Sequence, residues 1–348
     1  MKNQIDFKAS LSGMGSANFI NCFAAVYVHL EKTTLTSEHY PGIRNYFQMF
    51  DAMSGESFVH RHYGGKPTEM QKLIGNHGDW GCGTDYTIDF LFGFAGYEYF
   101  KQTDSALFKD GIITSINAGK PVLAKIKPDK NNGTFQIITG YDGDILQTSS
   151  HADAQNAPTR SLVYDDIDSL IIINNKITSR FTLVDGLKRT KQMMECNRNE
   201  KVWDKYIEEI QSKIMLPDEI PDDLKPEEQK KVMSELTAAV WCAWTNWNYL
   251  CAFEFGTLCI DYPILNEIPG EALDRFKEIE KLVWKKCCES MDLGHFINYL
   301  NKRIEFQNAP CPWFWLGKML VMMVERYKEL DAELLDLIEQ KIEIFDKN

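Results

Sequence analysis

The sequence lacks the short motifs and long apolar runs that mark zinc-binding, membrane-spanning and secreted proteins. It contains no CxxC pair and no HExxH motif, the spacings at which zinc ligands usually occur. No uninterrupted apolar run reaches the roughly 18 residues that a membrane span needs, and the first six residues hold no apolar signal core. Glycine and proline number only 22 and 12 in 348 residues, which excludes a fibrous or disordered chain. We therefore expect a globular protein with no metal, no cofactor and no membrane partner.

Basic residues are also scarce relative to acidic ones. Lysine and arginine together number 38 and aspartate and glutamate 50, which gives a formal net charge of −12. Because such a surface repels phosphate backbones, we expect no nucleic-acid partner. The cysteine count, nine, is odd and does not suit the paired disulfides of a secreted framework. The thiols are accordingly expected to be reduced and the protein to be cytoplasmic.

The hydrophobic pattern divides the chain into two parts. A length of 348 residues favours two domains. Helical spacing predicts a first helix through residues 20–30 and a second from about Thr84 to Gly93, and short strand patterns follow at 122–126, 135–139, 145–148, 170–173 and 180–183. Beyond residue 186 only helices are predicted, at 187–213, 227–255, 271–290, 293–304, 314–328 and 330–345. We expect an α+β domain of short antiparallel strands at 1–186 and an all-α domain at 187–348, with an acidic, proline-containing linker near 216–226.

Cys22 is the first candidate for a catalytic residue. It lies in the opening turn of the first predicted helix, where the helix dipole favours a thiolate. Asn18 and Asn21 are placed to donate hydrogen bonds to an oxyanion. The alternative is that Cys22 is a small apolar residue inside a buried helix.

Cys82 is a second candidate of the same kind. It stands between Gly81 and Gly83, just before the second predicted helix, so its sulfur is accessible to a substrate. The alternative is a turn residue whose thiol has no role. The sequence alone leaves the choice between the two cysteines open.

A strand–turn block is the most specific feature of the chain. It reads GKPVLA at 119–124 and GTFQIITGYDGD at 133–144. Together with Asn21-Cys22 before a helix and Ser37-Glu38 after it, this block resembles two groups of papain-like proteins: the bacteriocin-processing peptidases and the N-terminal domain of butirosin-biosynthesis protein H. The resemblance covers residues 13–150 and implies a papain-like fold for the first domain.

The resemblance also implies roles for single residues. It makes Cys22 the nucleophile, with Cys82 as the alternative. The family's histidine corresponds to Thr134, and its acid corresponds to Ser149 in the pair Ser149-Ser150. Both positions have therefore lost the groups that would serve as general base and orienting acid, although Thr134 and Ser149 remain candidates for substrate binding.

Three histidines are candidates to replace the missing base. His151 follows Ser150 directly and is the candidate base, the alternative being an exposed loop histidine. His60 and His62 form an HxH pair that would point both rings to one side of a strand, but no carboxylate or thiol at ligand spacing accompanies them.

These observations predict a thiol-dependent acyltransferase, or an amide or thioester hydrolase, that acts on a small molecule or peptide. Acyl transfer from a carrier-bound thioester tolerates the missing imidazole better than proteolysis does, because a thiolate leaves without a proton. The alternative is a catalytically inactive papain-like module that binds a peptide or a small metabolite. The sequence also suggests that the helical half forms a homodimer with a second copy of the chain.

Overall fold

The computed structural model describes two compact parts of the chain. The residues described are 2–8, 18–32, 45–55, 83–131, 134–149, 162–213, 227, 270–279, 281–283, 285–286, 289, 292 and 313–347. One unit holds Met1–Ser54 and Gln71–Gly186, and the other holds Gly55–Met70 and Leu187–Asn348. Each unit has an interior of its own and is described separately below.

The first unit is built on a seven-stranded antiparallel sheet. Its strands are β1 (Lys2–Gln4), β2 (Tyr97–Gln102), β3 (Val122–Ile126), β4 (Phe135–Asp142), β5 (Ile145–Ser149), β6 (Leu162–Val163) and β7 (Ile167–Lys176). Their order is β2-β7-β3-β4-β5-β6, and β1 pairs with β4 as well. The central strands β3, β4 and β7 are rich in β-branched residues, which pack well on a pleated surface covered on both sides.

Helices lie on both faces of this sheet. One face carries α4 (Phe108–Asn117), whose apolar side packs on Val122, Ala124, Ile138 and Leu170. The opposite face carries α1 (Asn18–Glu31), which contacts β4 through Phe19 and Phe135, with ring centroids 5.0 Å apart. Helices α2 (Asn45–Ser54) and α3 (Asp85–Ala95) belong to the same unit, and the short helix α5 (Pro128–Asn131) lies between β3 and β4.

Helix α3 has well-defined ends. The Thr84 hydroxyl accepts a hydrogen bond from the Thr87 N–H, which satisfies one donor of the first turn. Gly96 ends the helix in the left-handed conformation, with φ of 74°, and its N–H donates to the carbonyl of Phe92. These two caps fix the direction in which the chain enters β2, which begins at the next residue.

The described part of the second unit is helical. It contains most of α6 (Leu183–Asn199), then α7 (Val202–Lys213), helical residues between 270 and 292, and the long α8 (Trp313–Asp346). Trp203 of α7 stacks on Tyr327 of α8, and its indole N–H donates to Asp331 at 3.3 Å. Lys328 forms an ion pair with Asp204 at 2.5 Å. None of the helices within the described ranges is long and apolar enough to cross a membrane.

The α+β class, the antiparallel sheet and the helical C-terminal region are confirmed. The predicted strand at 180–183 is wrong, because this segment bends and then begins α6 at Leu183. The Thr182 N–H donates to the Asp185 carboxylate at 2.7 Å and the Asp185 N–H donates back to the Thr182 hydroxyl at 3.3 Å. This reciprocal cap starts a helix and outweighs the local strand pattern.

Two predictions of helix length are also wrong. The segments 314–328 and 330–345 form one helix, α8, because Lys328-Glu329-Leu330 are good helix formers that supply no break. The segment 187–213 is divided between α6 and α7, since Lys201 adopts a positive φ of 53°. The linker near 216–226 and the predicted helices 227–255 and 293–304 lie almost entirely outside the described residues.

Candidate functional site

Cys22 lies in the interior of the first unit. It is the fifth residue of α1, just past the first turn of this helix, and only 1% of it is exposed. Its Sγ–H donates to the carbonyl oxygen of Phe135, with a sulfur–oxygen distance of 3.6 Å. The structure therefore brings Cys22 against the residue that follows Thr134, at the beginning of β4.

The environment of this thiol opposes ionisation. Burial raises the pKa of Cys22 from its ordinary value of 9.0 to about 12. Removing a thiolate from water costs more than the dipole of a helix contributes beyond its first turn. The expectation that the helix start lowers the pKa of Cys22 is therefore wrong, and the thiol is neutral at physiological pH.

Thr134 and Ser149 lie on neighbouring strands. The Thr134 carbonyl accepts a hydrogen bond from the Ile126 N–H at 2.9 Å, which joins the start of β4 to the end of β3. Ser149 is the last residue of β5 and lies directly opposite Ile137 of β4. Opposed residues share a face of the sheet, and Ile137 shares its face with Phe135, so Ser149 faces the α1 side.

The other predicted site residues are described less completely. Asn21 is 3% exposed and directly precedes Cys22 on α1. Asn18 begins this helix, but its side chain is outside the described part. Cys82, His151, His60 and His62 also lie outside the described residues. Their roles remain predictions.

A cavity of about 290 Å³ lies on the α1 side of the sheet. Its apolar wall consists of Ile88, Phe135 and Ile171. Its polar lining consists of Lys101, Thr103, Lys125, Asp168 and Ser169. Sequence reasoning missed this cavity, since its lining comes from α3, β2, β3, β4 and β7. The only signal in the sequence was a charged residue, Lys125, inside the otherwise apolar strand 122–126.

A β-bulge in β7 directs two consecutive side chains into this cavity. Lys125 pairs with Ser169, whereas the next residue of β3, Ile126, pairs with Ile167. Asp168 is therefore an extra residue in β7, with no partner in β3. A bulge of this kind interrupts the alternation of side chains, which explains how both Asp168 and Ser169 line the cavity.

The charges around the cavity are unequally neutralised. Lys101 forms an ion pair with Asp85 at 2.5 Å. By contrast, the side chains of Lys125, a half-buried residue, and Asp168, an exposed one, form no hydrogen bond or ion pair with any residue that the structure describes. Among the described residues, the cavity thus presents one ammonium and one carboxylate without a charged partner.

Phe135 connects the cavity to Cys22. Its ring lines the cavity while its carbonyl oxygen accepts the Cys22 thiol. Phe19 packs on the Phe135 ring and also lies against Gly83, where a Cβ would come within 2.6 Å of the Phe19 Cγ. Gly83 has φ of 55° and is itself part of the cavity wall. Phe135 therefore separates the thiol from the cavity, and Cys22 itself is not part of the cavity lining.

In the described ranges, no group of three or more His, Cys, Asp or Glu side chains could hold a metal. Comparison with family models, with curated proteins and with solved structures finds no match for this chain. The functional argument consequently rests on the residues and distances given above.

Proposed function

We propose that the first unit is a catalytically inactive papain-like module that binds a small metabolite in the cavity beside Phe135. The observation that carries this proposal is the state of Cys22, which is 1% exposed and has a pKa raised by burial to about 12. The position of the family's histidine is occupied by Thr134, whose hydroxyl cannot act as a base near neutral pH.

The pKa of Cys22 makes thiol catalysis inefficient in this conformation. With a pKa of about 12, roughly one thiol in 10⁵ is ionised at pH 7. A general base would normally recover part of this loss, since such help is worth about 10²–10⁴-fold. Without one, Cys22 acts as a structural residue that satisfies the Phe135 carbonyl.

The cavity itself supports binding. Small-molecule sites are mostly apolar concavities of about 300–1,000 Å³ with a few polar groups that fix orientation. At about 290 Å³ this cavity lies at the small end of that range, and its lining is more polar than apolar, which suits a small ligand with charged or hydrogen-bonding groups.

Alkylation tests the inactive state of the thiol. The folded protein is treated with iodoacetamide between about pH 6 and about pH 9, and adducts are mapped by mass spectrometry. We expect Cys22 to stay unmodified until the protein is denatured. Cys196, a half-buried cysteine of α6, is the internal comparison and should react first. Alkylation of Cys22 faster than Cys196, with a midpoint below about pH 8, would contradict the proposal.

A second candidate is the thiol-dependent acyltransferase or hydrolase. The contact between Cys22 and Phe135 favours this candidate. In papain-like enzymes the nucleophile lies beside the start of the strand that carries the catalytic base, and Phe135 is the first residue of β4. In this mechanism the Sγ–H proton passes to His151, the sulfur forms a thioester with the acyl group, and the donor thiolate leaves. Water or an amine then takes the acyl group and releases Cys22. Thioester turnover that disappears in both Cys22→Ala and His151→Ala would establish this activity, and its persistence in either variant would exclude it.

A further inference from the structure

The geometry points to a specific class of ligand: a free α-amino acid with an apolar side chain. This inference rests on the proposed function, since it requires that the cavity bind a small molecule. It adds the identity of the groups that are recognised, which are a carboxylate, an ammonium and a hydrocarbon side chain.

The two uncommitted charges define the polar end of the ligand. The Lys125 ammonium and the Asp168 carboxylate line one cavity, and neither forms an ion pair with the other or with another described residue. A ligand carboxylate would be held by Lys125 and a ligand ammonium by Asp168, each through a charge-assisted hydrogen bond. A ligand with a single charge would leave one of these groups unsatisfied, and a dianion would be repelled by Asp168.

The hydroxyl groups of the lining complete the recognition of a zwitterion. Ser169 is 5% exposed, lies directly opposite Lys125 in the sheet and lines the cavity, as does Thr103 at the end of β2. A hydroxyl both donates and accepts a hydrogen bond, so it can serve a carboxylate or an ammonium. The bulge at Asp168 places this residue next to Ser169, the partner of Lys125 in the sheet, so both charged residues belong to the same part of the cavity lining.

The apolar residues of the lining, which neighbour the charged ones in the sheet, select the side chain of the ligand. Ile88, Phe135 and Ile171 are buried residues with hydrocarbon side chains in the cavity lining. A branched aliphatic side chain would gain about 25 cal/mol for each Å² of apolar surface that it buries there. The volume of about 290 Å³ limits the ligand to the size of a single amino acid or little more.

Three matched ligands test the inference on the full-length chain. The affinity of L-leucine is compared by isothermal titration calorimetry with that of 4-methylpentanoate, which lacks the ammonium, and 3-methylbutylamine, which lacks the carboxylate. Each charged contact is worth about 1.5–3 kcal/mol, so we expect leucine to bind at least about 10-fold more tightly than either analogue.

Two variants assign each charge to its residue. Lys125→Met should weaken leucine binding about 10-fold or more and remove the preference for leucine over 3-methylbutylamine. Asp168→Asn should remove the preference for leucine over 4-methylpentanoate. The controls are Lys205→Met and Asp129→Asn, which alter exposed residues outside the cavity and should leave all three affinities unchanged. Thermal melting monitored by circular dichroism shows that each variant is folded.

Two results would overturn the inference. The first is an affinity for leucine no higher than that for its singly charged analogues. The second is an unchanged leucine affinity in both Lys125→Met and Asp168→Asn. If a screen of uncharged or singly charged metabolites then finds a ligand that Phe135→Ala abolishes, the cavity binds a small molecule of another class and only the zwitterion inference fails. If no ligand is found, the proposed function fails as well.

Discussion

The two faces of the sheet in the first unit are built on different principles. The face under α4 is a continuous apolar layer in which Ile112, Ala124 and Leu170 are fully buried. The face toward α1 combines hydrocarbon with a buried thiol, two lysines, a carboxylate and a cavity. A close-packed and mainly apolar layer contributes mainly to stability, whereas charged groups beside a cavity contribute mainly to binding. Substitutions on the α4 face should therefore lower mainly the stability, and substitutions on the α1 face should weaken mainly ligand binding.

Leu170→Ala, on the α4 face, should have the largest effect on stability. Leu170 is fully buried in the apolar cluster, so the substitution removes buried hydrocarbon and leaves a cavity. We expect the free energy of unfolding to fall by about 3 kcal/mol, measured by urea denaturation. The control is Ile145→Ala, at a residue 51% exposed, which should cost less than about 0.5 kcal/mol. Equal losses at the two positions would show that the α4 face is not the stabilising layer.

Gly83→Ala tests the packing of the α1 face. The alanine would be strained at φ of 55°, and its Cβ would lie 2.6 Å from the Phe19 Cγ. We expect a loss of about 2–3 kcal/mol together with weaker ligand binding, because Phe19 supports the Phe135 wall. Gly119→Ala is the matched control, since Gly119 also has a positive φ, of 74°, but open space around it. It should cost about 1 kcal/mol and leave binding intact, and a loss there as large as at Gly83 would exclude the clash as the cause.

The smallest effect should come from Cys22 and depend on pH. Because burial raises the pKa of this thiol to about 12, the unfolded chain releases the proton near pH 9 while the native state retains it. Stability is therefore full below the unfolded pKa and falls as the pH rises above it. Between about pH 9 and about pH 10 the wild type should lose about 1 kcal/mol more than Cys22→Ala. Parallel pH profiles for the two proteins would show that Cys22 is not buried as described.

The sequence predicted those helices and strands in which apolar residues recur at a regular spacing. The strand Val122–Ile126 and the helix that begins at Asp85 were found because several apolar or capping signals agree there. Strand β2 was missed because its sequence, YEYFKQ, places aromatic and charged residues next to each other without alternation. The segment 180–183 was assigned to a strand because the cap formed by Thr182 and Asp185 was not recognised.

The site was less predictable than the fold. The resemblance to papain-like proteins made Cys22 the nucleophile and aligned Thr134 with the family's histidine, but it predicted no contact between the thiol and Phe135. It did not indicate the burial of the thiol, whereas the alternative of a small apolar residue inside a buried helix agrees with the 1% exposure of Cys22. This burial depends on aromatic packing among the helices, as between Phe23, Phe50 and Phe92. The role of Asp168 was not predictable from periodicity, since a bulge leaves no regular pattern in the sequence.

The bulge in β7 also bears on how such a site can arise during evolution. Ile167 and Leu170 both face the α4 core although they are three residues apart, an odd spacing that only an extra residue between them allows. Deleting Asp168 would leave Ile167 opposite Ile126 and Ser169 opposite Lys125, so every remaining side chain would keep its face. A single-codon insertion at this point would therefore add a charged group to an ancestral cavity without disturbing the core. The reverse deletion would remove the charge at equally little structural cost.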